Sequence, residues 1–397
     1  MITQIFLKHG KEESLKRRHL WVFSGAIESI RSLGGEVREG DIVDVYDKKG
    51  DFLARGHYQI GSITVRVLSF ERCEIDDAWW RARIGEAYAL RRAEGLTDSA
   101  TTTCYRLVHG EGDGLSGLVI DVYGRTAVVQ CHSVGVYRSR SAIASALREI
   151  YGDRLDAVYD KSSQTVPYKA NLGAIDGSLY GSHAGRETVL ENGLKFSVDW
   201  QSGQKTGFFI DQRFNRELVR RYSAGRSVLN TFCYTGGFSV YALAGGATRV
   251  VSVDSSERAV RLAADNVALN FGTEAPHEAV CEDTFDYLNH ADGDFDLIIL
   301  DPPAFAKHHK VTPEALKGYK RLNAKAFSKI KSGGILFTFS CSQAVSREQF
   351  RMAVFSAAAI SGRRVRIIHQ LSQPEDHPVD IYHPESEYLK GLVLYVE

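Results

Sequence analysis

The sequence predicts an α/β chain in three parts: a C-terminal parallel sheet covered by helices on both faces, preceded by a small β-rich unit and a small α+β unit. Strand and helix signals alternate regularly from residue 226, the pattern of successive βαβ units. Phe295–Leu300 is an almost continuous apolar run, as expected of a strand buried on both faces. Before residue 186 the pattern differs, with brief apolar runs broken by glycine and aspartate turns. These changes place the expected boundaries at 1–72, 73–185 and 186–397, in keeping with roughly 150 residues per domain.

In the first part, residues 41–46 alternate polar and apolar, 47–51 turn, and 52–56 resume, which reads as a hairpin. Residues 63–68 give another strand, and a helix at 76–94 follows in the second part. In the second, 118–123 and 127–130 flank Gly124-Arg125 as a further hairpin, and a helix follows near 139–150. In the third, strands are expected at 228–232, 249–254, 295–300 and 335–339, with a helix at 238–244. The helix after Asp254 places Val260, Ala263, Ala264, Val267 and Phe271 on one face. The next helix has Thr312 as N-cap, Pro313 at its first position and Ser332-Gly333-Gly334 as its stop. Ser346-Arg347-Glu348-Gln349 is a capping box that opens another.

Composition narrows the partners. The 397 residues carry 49 basic and 49 acidic side chains, which excludes a strongly basic coat but not a local basic face. Lys8, Lys11, Lys16, Arg17 and Arg18, and again Arg81, Arg83, Arg91 and Arg92, cluster in the chain. They are either a solvated face or phosphate contacts to RNA. No run of 18 apolar residues occurs and the start carries no signal-peptide pattern. The six cysteines lack zinc-ligand spacing and do not form a disulfide framework, which implies a reducing, cytosolic compartment. The histidines at 308, 309, 369, 377 and 383 form no convincing ligand set, so no metal is expected.

The chemistry is sought at the carboxyl ends of the parallel strands, where open α/β sheets bind ligands. The first strand ends in Cys233-Tyr234-Thr235-Gly236-Gly237-Phe238. Its glycines let the backbone approach a ligand, and the helix that follows offers free amides. The second strand ends in Asp254, where a carboxylate can accept hydrogen bonds from a ribose diol. This layout fits a dinucleotide or S-adenosylmethionine. The dinucleotide fingerprint G-x-G-x-x-G is absent, which weakens the pyrophosphate reading. The third strand ends in Cys281-Glu282-Asp283 and the fourth in Asp301-Pro302-Pro303-Ala304-Phe305. Two prolines stiffen that last loop, so that it can present Asp301 and backbone carbonyls to a planar base. Lys205–Arg213 mixes paired aromatics with charge and reads as a lid over the cofactor or as an ordinary interdomain turn. Candidate cofactor contacts are Phe209, Gln212, Phe232, Tyr234, Gly236, Asp254, Ser255, Asp283, Thr284 and Asp301.

Cys341 follows the fifth strand, beside the D-P-P strand if the strand order is the usual one, and precedes the capped helix start at Ser346. Amide dipoles there favour a thiolate. A thiolate in this place can add to carbon 6 of a pyrimidine and make carbon 5 nucleophilic toward a sulfonium methyl. Cys341 and Asp301 are therefore the candidate catalytic residues.

These motifs together resemble the RlmI-like family of ribosomal RNA large-subunit methyltransferases, over essentially the whole length. Arg18–Ile27 resembles the opening of that family's N-terminal PUA domain, an RNA-binding module, and Gly112–Gly124 its central domain. Lys205–Arg213 matches its K-T-G-F-F-x-D-Q-R signature. Thr231–Phe238, Asp301–Phe305 and Ser340–Ser342 match its methyltransferase motifs, and Asp376-His377-Pro378 with Tyr388–Leu392 its C-terminal end. The resemblance implies a class I, Rossmann-like, seven-stranded domain, S-adenosyl-L-methionine as cofactor, and 5-methylcytosine in ribosomal RNA as product. It places the nucleophile at Cys341. The implied partner is ribosomal RNA in the cytoplasm, with no membrane and with a homodimer as the assembly to test.

Two departures stand out. Asp160-Lys161-Ser162 stands where an arginine is expected, and the fourth-strand loop lacks the second cysteine of other RNA cytosine methyltransferases, as in this family. The group that releases the enzyme is thus unassigned. Two rivals remain at this point: methylation of a guanine in the same RNA, which needs no thiol, and a non-catalytic RNA-binding assembly factor on a methyltransferase scaffold.

Overall fold

The computed structural model describes residues 2–397 apart from 33, 168, 169, 171, 183, 184 and 307, and of 309 the backbone alone. It comprises two units. One is Met1–Val189 with Val198–Phe208 and Glu375–Ser386; the other is Leu190–Ser197 with Phe209–Pro374 and Glu387–Glu397.

The first unit holds two sheets. Strands β1 (Thr3–Leu7), β2 (Trp21–Phe23), β3 (Ile27–Arg31), β4 (Ile42–Tyr46), β5 (Phe52–Tyr58) and β6 (Ile63–Ser69), with helix α1 (Glu13–Lys16), form a six-stranded sheet in the order β2-β6-β5-β4-β1-β3. The alternation in 42–46 puts Val43 and Val45 into a core with Ile5, Leu7, Val65 and Val67, and β4 pairs antiparallel with β5 as the hairpin pattern requires. Helix α2 (Asp77–Ala93) follows, capped by the Asp76 carboxylate, which accepts from the Trp79 amide. The second sheet contains β7 (Cys104–His109), β8 (Leu118–Tyr123), β9 (Thr126–Cys131), β10 (Ala157–Asp160) and β11 (Gly177–Tyr180), in the order β11-β10-β9-β8-β7. Helices α3 (Val134–Arg138) and α4 (Arg140–Tyr151) lie between β9 and β10 in sequence. Ile143 and Leu147 of α4 join Trp80 and Ile84 of α2 in one core over this sheet.

The second basic cluster, 81–92, is not a uniform solvent-exposed face. Arg91 is fully buried and its guanidinium is bidentate to Asp113, at 3.1 and 2.7 Å. Arg81 is paired with Glu149 and Arg83 with Glu86. Lys161, in the place of the expected arginine, donates to the carbonyls of Trp200 and Gly203. Its charge serves to hold the chain.

After the hairpin β12 (Arg186–Glu191) and β13 (Leu194–Asp199), the second unit begins its α/β alternation. The elements are α5 (Arg213–Tyr222), β14 (Ser227–Thr231), α6 (Gly237–Ala244), β15 (Arg249–Asp254), α7 (Glu257–Phe271), β16 (His277–Cys281), α8 (Thr284–His290), β17 (Phe295–Leu300), α9 (Thr312–Lys329), β18 (Ile330–Ser340), α10 (Arg347–Ser361), β19 (Val365–Leu371) and β20 (Lys390–Val396). The sheet has seven strands in the order β16-β15-β14-β17-β18-β20-β19. The five strands from β16 to β18 are parallel, as the alternation requires. The parallel expectation fails at one edge. β20 runs antiparallel to both β18 and β19, because the last connection is a return through 372–389 rather than a crossover helix.

Some local signals fall within a residue or two of the observed elements and others do not. The capping box at Ser346 and Gln349 is present in both directions. Thr312 is the first residue of α9 rather than its N-cap; its hydroxyl donates instead to the Ala344 carbonyl, at 3.2 Å. Helix α9 ends at Lys329, before Ser332-Gly333-Gly334, because Ile330 is already extended. The glycines form an irregularity inside β18, where the register with β17 jumps from Ile330 to Ile335, and Gly333 takes a positive φ of 79°.

Candidate active site

Strand order alone gathers the candidate residues along one edge of the second unit's sheet. The chain leaves β14 toward β15 and β16 on one side and resumes with β17 and β18 on the other. β14 is thus next to the point where the order reverses, which opens a crevice beyond the strand ends. Along that crevice come, in spatial order, Asp283, Asp254, the glycine turn, Asp301 and Cys341.

The glycine turn is strained and locked. Phe232 and Tyr234 have φ of 53° and 46°, left-handed conformations that cost non-glycine residues on the order of 1–3 kcal/mol each. Gly236 takes φ 75°, and a Cβ there would lie 2.8 Å from Ala263 Cβ and 2.9 Å from Ala263 Cα. No side chain fits between this turn and α7. Support comes from a buried ion pair that the sequence did not reveal. Arg216 is bidentate to Glu191, at 2.7 and 2.6 Å, and also donates to the Phe209 carbonyl at 2.9 Å. A Cβ on Gly237 would meet the Arg216 side chain at 3.0 Å. The Phe209 ring meets the Tyr234 ring edge-on, 5.1 Å between centroids.

The carboxylates differ in how they are held. Asp254 is half-buried and accepts from the amides of Tyr234 and Ser256, at 3.0 and 2.9 Å. A carboxylate has about four acceptor positions, so capacity remains for a diol. Ser255 beside it is exposed. Asp283 is exposed and caps α8 by accepting from the amides of Phe285 and Asp286. Thr284, the first residue of α8, is buried. Asp301 accepts from the Gln212 side-chain amide at 3.0 Å, and Gln212 accepts in turn from Asn215 at 2.6 Å. These residues offer what S-adenosylmethionine needs from a protein: acceptors for a ribose, an aromatic pair, and a turn at which only glycine fits.

Cys341 lies where expected. Its half-buried sulfur is 3.9 Å from the Pro302 carbonyl of the D-P-P loop. The tip is fixed from behind by Tyr319 of α9, whose hydroxyl bonds to those of Ser340 and Ser342, at 2.9 and 3.0 Å. Ser342 also accepts from the Ala306 amide, which joins the tip to the loop. Lys390, at the start of β20, is a further member that motif reading quoted without a role. Its ammonium donates to the carbonyls of Ser342 and Val345, at 2.7 and 2.6 Å. Burial lowers it to about 8, and the nearby Cys341 sulfur opposes that shift. By contrast, burial pushes the Cys131 thiol up to about 12 and the Cys233 thiol higher still, which leaves both inert.

Comparison with known proteins agrees with this geometry. Residues 176–387 match the model of an S-adenosylmethionine-dependent methyltransferase, and residues 5–70 that of a PUA-like domain. A ribosomal RNA large subunit methyltransferase I from Alteromonas mediterranea is 40% identical over 401 residues, covering 100% of this chain and 99% of that protein. Its counterpart from Aeromonas hydrophila is 41% identical and covers 99% of each. Among solved structures, a putative methyltransferase complexed with SAH superposes with a TM-score of 0.85 at 26% identity, over the full length of both chains. A putative S-adenosylmethionine-dependent methyltransferase from Streptococcus mutans gives 0.84 at 25%, again over both full lengths. With relatives of this identity along its entire length, the chain belongs to the ribosomal RNA large subunit methyltransferase I family of S-adenosylmethionine-dependent methyltransferases.

Proposed function

We propose that this methyltransferase forms 5-methylcytosine in large-subunit, 23S-type ribosomal RNA, with Cys341 as its nucleophile. The observation that carries the reading is the Cys341 sulfur at the D-P-P carbonyl, with the Lys390 ammonium behind it. A cation beside a thiol favours the thiolate. The Cys341 thiolate forms a bond to carbon 6 of the cytosine, and the ring electrons become available at carbon 5. S-adenosylmethionine, when bound, supplies an electrophilic methyl group. Loss of the proton from carbon 5 then returns the electron pair, breaks the sulfur–carbon bond and frees Cys341. The base that takes this proton is unassigned. In this reading Asp301 hydrogen-bonds the cytosine ring. The cofactor would be held by Phe209, Gln212, Phe232, Tyr234, Gly236, Asp254, Ser255, Asp283, Thr284 and Asp301.

The reading uses the PUA-like part to hold RNA and takes 1–72, 73–185 and 186–397 as working domains. It places the activity in the cytoplasm; among the described residues no helix is long and apolar enough to cross a membrane. A homodimer is the assembly to look for, by light scattering. The decisive test is Cys341→Ala, assayed by mass spectrometry of the ribosomal RNA and by calorimetry with S-adenosylmethionine. Methylation should fall at least about 1,000-fold, on the scale of lost covalent catalysis, while cofactor affinity is retained. Near-normal methylation in the variant would overturn the covalent step and favour a guanine target. Absence of cofactor binding by the wild type would leave the assembly-factor reading.

A further inference from the structure

Within the first unit, three ligand-bearing side chains that no part of the methyltransferase reading uses converge on one point. His19 stands just before β2; His383 and Glu385 lie in the segment Glu375–Ser386 of the same unit. One ligand atom from each lies within 4.8 Å of the others. The His19 Nε2 is 3.3 Å from the Glu385 carboxylate, and the His383 Nε2 is 3.8 Å from it. A tetrahedral ion with bonds of about 2.0–2.1 Å holds its ligand atoms about 3.4 Å apart. The two imidazole–carboxylate separations are already near that spacing, and the two imidazole nitrogens lie within 4.8 Å of each other.

Two features separate it from an ordinary ion pair. His383 is fully buried, yet among the described residues neither of its ring nitrogens has a hydrogen-bond partner. Burying such groups unpaired is costly, and a ligand at the Nε2 would remove one of these costs. The His19 ring is anchored at its Nδ1, which lies 3.2 Å from both the amide and the carbonyl of Trp21, and its Nε2 faces the Glu385 carboxylate. The turn carrying His383 is fixed by its amide bond to the Asp380 carbonyl and by the Ser386 amide and hydroxyl on its own carbonyl. The Trp21 ring packs edge-on against His383 at 4.4 Å and shields it. Arg66, the nearby cation, is already paired with Glu111 at 3.1 Å.

We propose that His19, His383 and Glu385 bind one divalent transition-metal ion, of which zinc is the best match, and that water completes its coordination. Two imidazoles and one carboxylate suit zinc, and three protein ligands leave a fourth position open. The site joins residues 366 positions apart in sequence. It would act as a clip that fastens the late segment Glu375–Ser386 beside β2, and such long closures gain the most from a cross-link in chain-entropy terms. Spacing rules could not show it, since His19 comes from the opposite end of the chain from His383.

The test uses the full-length protein, stripped of metal with a chelator and titrated with zinc chloride by calorimetry, with the thermal midpoint followed in parallel. Wild type should take up one equivalent and melt at a higher temperature with zinc. His19→Gln and Glu385→Gln, both at partly exposed positions and expected to fold, should each bind at least about 10-fold more weakly and lose the zinc-dependent rise. His383→Ala should abolish binding, with circular dichroism to check that it folds. The proposal is overturned if wild type takes up no zinc, or if His19→Gln and Glu385→Gln bind it as tightly as wild type, which would place the ion on other groups such as exposed Cys281.

Discussion

At the residue scale, the site depends on which groups carry charge near the crevice. Asp254 holds two backbone amides and so fixes the turn; in the proposed function it also presents acceptors to a ribose. Asp254→Ala should weaken S-adenosylmethionine binding about 10- to 100-fold, the equivalent of about 1.5–3 kcal/mol for a hydrogen bond to a charged group. Calorimetry checks this, and an unchanged dissociation constant would remove Asp254 from the site. Lys390 is the second test. Lys390→Met takes away the cation that acts on Cys341. The thiolate fraction at neutral pH should drop about 10-fold if the change is worth one pKa unit. Iodoacetamide labelling of Cys341, followed by peptide mass spectrometry at pH 7.5, reads this directly. Equal labelling rates in the two proteins would deny Lys390 that role.

At the scale of elements, the glycine turn is held in a costly conformation by what lies beneath it. Glu191 of β12 and Arg216 of α5 are both buried, and the arginine also carries the Phe209 carbonyl. Removing one member of a buried pair leaves the other charge uncompensated, at a cost of about 3–5 kcal/mol. Glu191→Gln should therefore lower the urea midpoint strongly and loosen cofactor binding with it; a midpoint within error of wild type would mean the pair is dispensable. The difference between what could and could not be read in the sequence is visible here. The capping box at Ser346 and Gln349, the hairpin of β4 and β5 and the buried run of β17 depend on residues close in sequence, and all three were legible. Thr312 was misplaced by one position because the Ala344 carbonyl, a tertiary partner, takes its hydroxyl. Arg91 read as part of a solvated face or as a phosphate contact because its neighbours are basic, but Asp113 claims it. Glu191 and Arg216 carry no local signal at all. Neither does the role of Lys390, which arises only because β20 folds back beside β18. The order of the acidic tips and of Cys341 was legible because parallel α/β connections permit few arrangements.

At the scale of the whole molecule, buried histidines set an acid limit. Burial lowers His57, and partial burial His277, from 6.5 to about 4. Between these values the unfolded chain binds protons that the folded chain refuses. Stability is therefore full above about pH 6.5 and falls as the pH drops toward 4, by up to about 1.4 kcal/mol per pH unit for each histidine. Urea midpoints at pH 7.5, 6 and 5 should decline in that order, and a flat series would show that these rings charge without penalty. The membership of the first unit bears on how the protein is made. Its last part, Glu375–Ser386, is encoded almost at the end of the chain, although the rest of the unit is complete by Phe208. A ribosome adding about 5–20 residues per second delivers that segment on the order of 10–40 s after Val189. During vectorial synthesis the N-terminal half must wait, unfinished, for its closing piece. Nascent chains arrested before residue 375 should accordingly be open to chaperones and proteases in a way the released protein is not.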